Sequence, residues 1–199
     1  QRVLRDENNE DYIALEELAE TLGAAGIDPA KEVIVYGAKA HTAPYFAFVT
    51  LQYLGAKNAA VYHGGIDDWK AGGGALDKEP AQPKALALKL TPTADVLIAT
   101  KDVIARLNNK DVQILDVRGP REFSGEDIRA LRGGHIPGAI NVPYEQNWSD
   151  PDTYRKLARK QVNNKDGLKL KSAEQLKALY AKLDPNKETI VYCQSGVRS

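Results

Sequence analysis

The chain has 199 residues, and its 27 Lys+Arg balance its 27 Asp+Glu, so no net field draws it to nucleic acid or an anionic membrane. Hydrophobic residues at 43% and charged residues at 27% are ordinary for a globular chain, and no apolar run approaches a membrane span. A single cysteine excludes an internal disulfide and a cysteine-rich metal site, so that residue is either inert packing or a reactive thiol.

In chain order, Leu15, Leu18 and Leu22 fall on one face of an expected helix. A turn on Asp28-Pro29 leads to an expected strand from Val33 to Tyr36. A helix from about Ala43 to Leu54, entered through Thr42 and Pro44, leads to a strand at Ala59–Tyr62. Gly64-Gly65 then opens a short turn ending at Trp69. Gly72, Gly73, Gly74, Pro80, Pro83 and Pro92 give the next stretch the composition of an interdomain linker. Beyond it, Asp102–Leu107 is helical by pattern and Val112–Val117 reads as a buried strand. Residues 147–171 are polar and irregular, with a short helix expected near Tyr154–Lys160. Ser172 and Gln175 have the spacing of a reciprocal helix cap ahead of Leu176, Leu179 and Leu183, and a strand follows at Thr189–Tyr192.

The chain also repeats itself. Asp28-Pro29-Ala30-Lys31-Glu32-Val33-Ile34-Val35-Tyr36-Gly37 recurs, offset by 156, as Asp184-Pro185-Asn186-Lys187-Glu188-Thr189-Ile190-Val191-Tyr192-Cys193, with seven of ten positions identical. Each copy follows an amphipathic helix and ends in a strand. Alternating helices and strands imply an α/β class with two related domains, each a mainly parallel sheet flanked by helices. The expected layout is residues 1–75 as the back part of one domain, 76–92 as linker, and 93–199 as the front part of a second. The chain begins at Gln1, contains no Met, and stops after the last strand, so it reads as a segment. Missing segments or a complementary chain are expected to complete both domains.

Cys193 is the residue on which function turns. It follows a strand of an expected parallel sheet, where open α/β sheets bind their ligands. Backbone N–H groups of Gln194, Ser195, Gly196, Val197 and Arg198, curling toward the sulfur, would favour the thiolate. Gly196 permits the curl, and Arg198 adds a permanent cation with a fork for an oxyanion. The bland alternative is a buried strand-end cysteine; the spacing to Gly196 and Arg198 weighs against it.

Cys-x-x-Gly-x-Arg after an Ile-Val-Tyr strand resembles the active-site loop of the rhodanese (sulfurtransferase) family. The resemblance extends to Leu115-Asp116-Val117-Arg118 with Glu122-Phe123, to Gly134-His135-Ile136-Pro137-Gly138-Ala139-Ile140-Asn141-Val142-Pro143, and to Gly64-Gly65 with Trp69. It implies a tandem protein whose first domain is inactive, because Gly37 stands where the nucleophile would be. It implies a two-step transfer through a persulfide on Cys193, stabilised by the N–H groups of residues 194–198, with Arg198 holding a donor's sulfonate. The donor would be a small molecule such as thiosulfate and the acceptor a thiol or cyanide, with no cofactor, metal, nucleic acid or membrane involved. Cytoplasm and periplasm both suit such a thiol. Asp116 and Arg118, at a strand end, are expected to pair with each other or to brace the loop, a supporting role rather than direct catalysis, and His135 to make a turn hydrogen bond. His41 and His63 have no evident carboxylate partner, and Trp69 and Trp148 are expected to pack.

Two departures bear on the substrate. Some thiosulfate-preferring members carry a basic residue where this chain has Glu122, and the loop lacks the Gly-Ser-Gly-Val-Thr form of mercaptopyruvate enzymes. The competing readings are a non-catalytic rhodanese-like binding or sulfur-carrier module and a mercaptopyruvate enzyme. A Cys-dependent phosphatase is a third, but its anion loop carries one more residue between Cys and Arg.

Overall fold

Short β-branched runs become strands, and every strand pairing within the two sheets is parallel. The computed structural model describes residues 4–6 and 11–199; residues 1–3 and 7–10, part of the expected first domain, lie outside the described residues. The chain divides into two units, Gln1–Leu97 and Ile98–Ser199.

The first unit runs α1 (Leu15–Ala24), β1 (Val33–Tyr36), α2 (Thr42–Tyr53), β2 (Ala59–Tyr62) and α3 (Gly65–Ala71). Strands β1 and β2 pair in register from Val33↔Ala59 to Tyr36↔Tyr62. Leu18 and Leu22 of α1 close on Leu54, with Ile13, Ile27 and Tyr53 around them. Segment 76–92 contains no helix or strand, and its second half runs along this unit. The amide of Leu86 donates to the Gly23 carbonyl at 3.0 Å, and Leu88 and Leu90 pack on the leucine cluster. Gly23 makes this approach possible, since a Cβ there would stand 2.3 Å from the Leu86 carbonyl oxygen.

Two details add to the sequence reading and a third differs from it. Helix α2 is capped by His41, whose Nδ1 accepts from the Ala43 amide at 3.1 Å. His63 pairs through Nδ1 with the Tyr45 hydroxyl. The turn expected after Gly64 is helix α3, and Gly65 sits at φ 54° with room for no side chain against the Gly37 carbonyl.

The second unit runs α4 (Thr100–Arg106), β3 (Val112–Asp116), α5 (Pro120–Ser124), β4 (Ile140–Asn141), α6 (Thr153–Ala158), α7 (Ala173–Leu179) and β5 (Glu188–Tyr192). The sheet order is β4-β3-β5, so β3 is central. Its register with β5 ends at Asp116↔Tyr192, and with β4 at Asp116↔Asn141. Asp116 is therefore the point where three strand ends meet. Leu115, Val117 and Val142 form the core here, covered by Leu179, Tyr180 and Leu183. The Ser172–Gln175 cap forms in both directions, at 3.3 and 3.0 Å.

Residues 147–171 are more ordered than their polarity suggests. Helix α6 lies within them, and a bridge between Trp148 and Leu170 closes the segment on itself. Ser149 N to Lys169 O at 2.8 Å and Lys171 N to Asn147 O at 2.9 Å complete the closure. Leu168, with no exposed surface, and buried Trp148 and Thr153 fill its interior. These apolar residues are too few and too irregularly spaced to give a helical or strand period.

Candidate active site

The loop after β5 places Cys193 half-buried at the edge of the second unit's core, against Leu115 and Val117. Gly196 at φ 74° turns the chain back, so that the Arg198 amide donates to Cys193 Sγ at 3.3 Å. Burial alone pushes this thiol up. The amides of Arg198 and Ser195, the Ser199 hydroxyl and the Arg198 charge outweigh it and hold the thiol below its ordinary value. Gly196 makes the expected curl, and of the five N–H groups expected to face the sulfur those of Ser195 and Arg198 do so. Ser199 is a participant that the sequence reading missed.

The Arg198 guanidinium is not turned to an empty site. It forms a two-pronged ion pair with Glu122, Nη1 to Oε2 at 2.7 Å and Nη2 to Oε1 at 2.9 Å. Both side chains are largely buried, and the Arg198 hydrogen bonds hold the Glu122 carboxyl at about 2 against an ordinary 4.5. Glu122 stands in the first turn of α5, opened by Pro120, where its carboxylate also accepts from the Gly119 amide at 3.3 Å. Glu122 thus fixes the far end of the cysteine loop. A half-exposed Arg129 lies 3.6 Å from Glu122 Oε1. Its carbonyl accepts from Gln194 Nε2 at 3.0 Å. Val197 is half-buried within the bend.

Asp116 and Arg118 do pair. Arg118 Nη2 lies 2.7 Å from Asp116 Oδ2, while the Arg118 amide and Nε both reach Oδ1. Asp116 has no exposed surface; burial raises its carboxyl, but hydrogen bonds from Arg118 and Tyr192 win and leave it low. Asn141 Nδ2 closes the end of β3 by donating to the carbonyls of Asp116 and Arg118, each at 2.9 Å. His135 makes the expected turn contact: Nδ1 lies 2.8 Å from the Phe123 carbonyl, and its ring stacks on Phe123 at 3.6 Å between centroids. Trp148 packs as expected, whereas Trp69 is about half exposed and donates to the Ala75 carbonyl at 2.8 Å.

The matching loop of the first unit is filled by its own chain. Lys39 is buried there, with Nζ 2.7 Å from Asp68 Oδ1 and its amide 2.8 Å from Asp67 Oδ2. Gly37 supplies no thiol, so this loop has no sulfur nucleophile. Among the described residues no cluster of His, Cys, Asp and Glu has the makings of a metal site, and no helix is long and apolar enough to cross a membrane.

One consequence is directly measurable. Alkylation of Cys193 by iodoacetamide should follow a thiolate titration whose inflection lies below the ~8.5 of a free cysteine. A rate-against-pH profile with the inflection at or above that value would contradict the nest described here.

Residues 3–72 and 99–199 match the rhodanese-like domain family. A Mycobacterium bovis protein named "Putative thiosulfate sulfurtransferase 1" is 32% identical over 98% of this chain and 68% of its own length. A Haloferax volcanii protein named "Putative thiosulfate sulfurtransferase" is 30% identical over 98% of this chain and 66% of its own. Among solved structures, the 3-mercaptopyruvate sulfotransferase of Escherichia coli superposes with a TM-score of 0.76 at 23% identity, over 98% of this chain and 70% of that one. The anaerobic ergothioneine biosynthesis enzyme of Chlorobium limicola gives 0.78 at 21% identity, over 98% and 49%. At such identities the structural likeness speaks to the fold.

Proposed function

This chain belongs to the rhodanese family of sulfurtransferases, and we propose that its second unit moves a sulfane sulfur from a thiosulfate-like donor to a thiophilic acceptor through a persulfide on Cys193. The observation that carries this reading is the sulfur itself, placed beyond the end of β5 with the Arg198 amide at 3.3 Å and its thiol held below the ordinary value. In the first step the Cys193 thiolate attacks the outer sulfur of thiosulfate. A Cys–S bond to that sulfur forms as the donor's S–S bond breaks, and sulfite leaves with the bonding pair. In the second step a thiol or cyanide attacks the outer sulfur, and the Cys193 thiolate leaves. Dividing one transfer into two displacements is nucleophilic catalysis.

The parts of the site have separate work in this scheme. The amides of Ser195 and Arg198 face the sulfur, where negative charge persists in both thiolate and persulfide. Arg198, held by Glu122, fixes the loop's shape, and its charge acts on the sulfur as a lesser cause beside the loop's N–H groups. Arg129, half-exposed and tied to the loop through its carbonyl and Gln194, turns its guanidinium to the same Glu122 carboxylate. Asp116 and Arg118 hold the strand ends beneath the loop. Names of relatives support thiosulfate as the donor class.

Initial rates with thiosulfate and cyanide test this scheme. Double-reciprocal plots should give parallel lines, as two displacements through a covalent intermediate require. Intersecting lines with full turnover would mean that both substrates must be bound together, and would remove the persulfide from the scheme.

A further inference from the structure

A cysteine loop is aimed by its two ends, and both ends of this one rest on residues 116–136. The far end rests on Glu122 through Arg198. The near end is Tyr192, the residue before Cys193. Its hydroxyl donates to Asp116 Oδ2 at 2.6 Å and accepts from the Ile136 amide at 3.1 Å. Arg118 lies over the same ring, its guanidinium carbon 5.4 Å from the centroid, and donates through Nη2 to the Gly134 carbonyl at 2.7 Å. The turn at Gly134–Ile136 is thus gripped from one side by Tyr192 and Arg118. From the other side it is held by His135 stacked on Phe123, next to Glu122. The contacts close into a circuit from one end of the cysteine loop to the other.

We propose that Tyr192 is a positioning residue for sulfur transfer, its hydroxyl latching the end of β5 to Asp116 and to the Ile136 amide so that Cys193 is held facing the loop's N–H groups. The inference rests on the reading of Cys193 as the nucleophile. The ring alone does not supply the latch. A phenyl group in its place would leave the Ile136 amide without this acceptor and Asp116 with one donor fewer. Burial first, and then the hydrogen bond to Asp116, push the phenol up to about 12, so the hydroxyl keeps its proton and its donor role across the working pH range.

Tyr192→Phe in the full chain is the test, with three measurements on it and on the wild type. These are the pH profile of Cys193 alkylation by iodoacetamide, kcat and KM with thiosulfate and cyanide, and thermal unfolding. The alkylation inflection should move up by about half a pH unit or more, because a loosened loop aims its N–H groups at the sulfur for less of the time. The kcat should fall about fivefold, the kinetic equivalent of one hydrogen bond, with KM changed less than about twofold. An unmoved alkylation profile and an unmoved kcat would overturn the proposal, even with a lowered melting temperature, since a purely structural brace does that much.

If Tyr192→Phe does not fold, Asp116→Asn serves as the second arm, weakening the acceptor of the Tyr192 hydroxyl while keeping its shape. An upward alkylation shift supports the latch and an unshifted profile overturns it. Alkylation does not depend on turnover. A wild-type protein that takes no sulfur from thiosulfate would therefore defeat the proposed function, while the alkylation profile would still decide the role of Tyr192.

Discussion

Glu122→Ala is expected to destabilise the second unit by about 3–5 kcal/mol, the range for removing one partner of a buried ion pair. The Arg198 side chain is only 17% exposed, and without the carboxylate its charge would be left in a poorly solvated place. The loss should be larger than that of an ordinary surface pair, which is worth at most about 1 kcal/mol. Sulfur transfer should fall with it, because the Arg198 amide that faces Cys193 sits on the residue Glu122 anchors. Glu122→Gln, which keeps a neutral acceptor, should lose less. Urea unfolding of the three proteins at neutral pH orders them; equal midpoints for wild type and Glu122→Ala would mean that the pair holds nothing together.

The same pair sets a pH dependence with a definite sign. Glu122 is held at about 2 in the folded chain against an ordinary 4.5, so its contribution is complete above pH 4.5 and is lost as pH falls from there toward 2. The shift corresponds to at most about 3–4 kcal/mol. Acid unfolding of wild type should therefore be steeper through that window than that of Glu122→Gln. Parallel curves would show that the carboxylate titrates as it does in the unfolded chain.

Cys193→Ser should abolish sulfur transfer, with activity down by about a thousandfold or more, while leaving the fold in place. A hydroxyl in the same nest is hardly ionised near neutral pH and forms no persulfide. The replacement is nearly isosteric, and the Arg198 amide that donates to the half-buried sulfur at 3.3 Å can donate equally well to an oxygen. Stability within about 1 kcal/mol of wild type, measured by urea unfolding, would show that the loss belongs to chemistry. Residual turnover within tenfold of wild type would place the nucleophile elsewhere.

What could be read from the sequence is local in the chain. The Ser172–Gln175 cap, the Asp116–Arg118 pair and the turn at Gly196 span two to six positions, and residue type fixes each of them nearly alone. The repeat located β1 and β5, and with β5 the cysteine at its end. The contacts that make the loop a site were not legible. Tyr192–Asp116 and Arg198–Glu122 each join residues 76 positions apart, the same offset as the β3–β5 register. That register is a product of folding, and without it Glu122 is simply one acidic residue among many. The Arg198 guanidinium, expected to face a sulfonate, is turned to Glu122 for the same reason. Helix α5 is only five residues long and too short for a period, so the element that carries Glu122 was missed as well.

The central claim is a covalent sulfur on Cys193, and intact-protein mass spectrometry before and after exposure to thiosulfate tests it most directly. A gain of about one sulfur atom (~32 Da), removed by cyanide and absent from Cys193→Ser, is the predicted result. No gain on a wild-type protein whose Cys193 alkylates with the expected low inflection would contradict it, leaving a poised thiol that does not take sulfur from this donor.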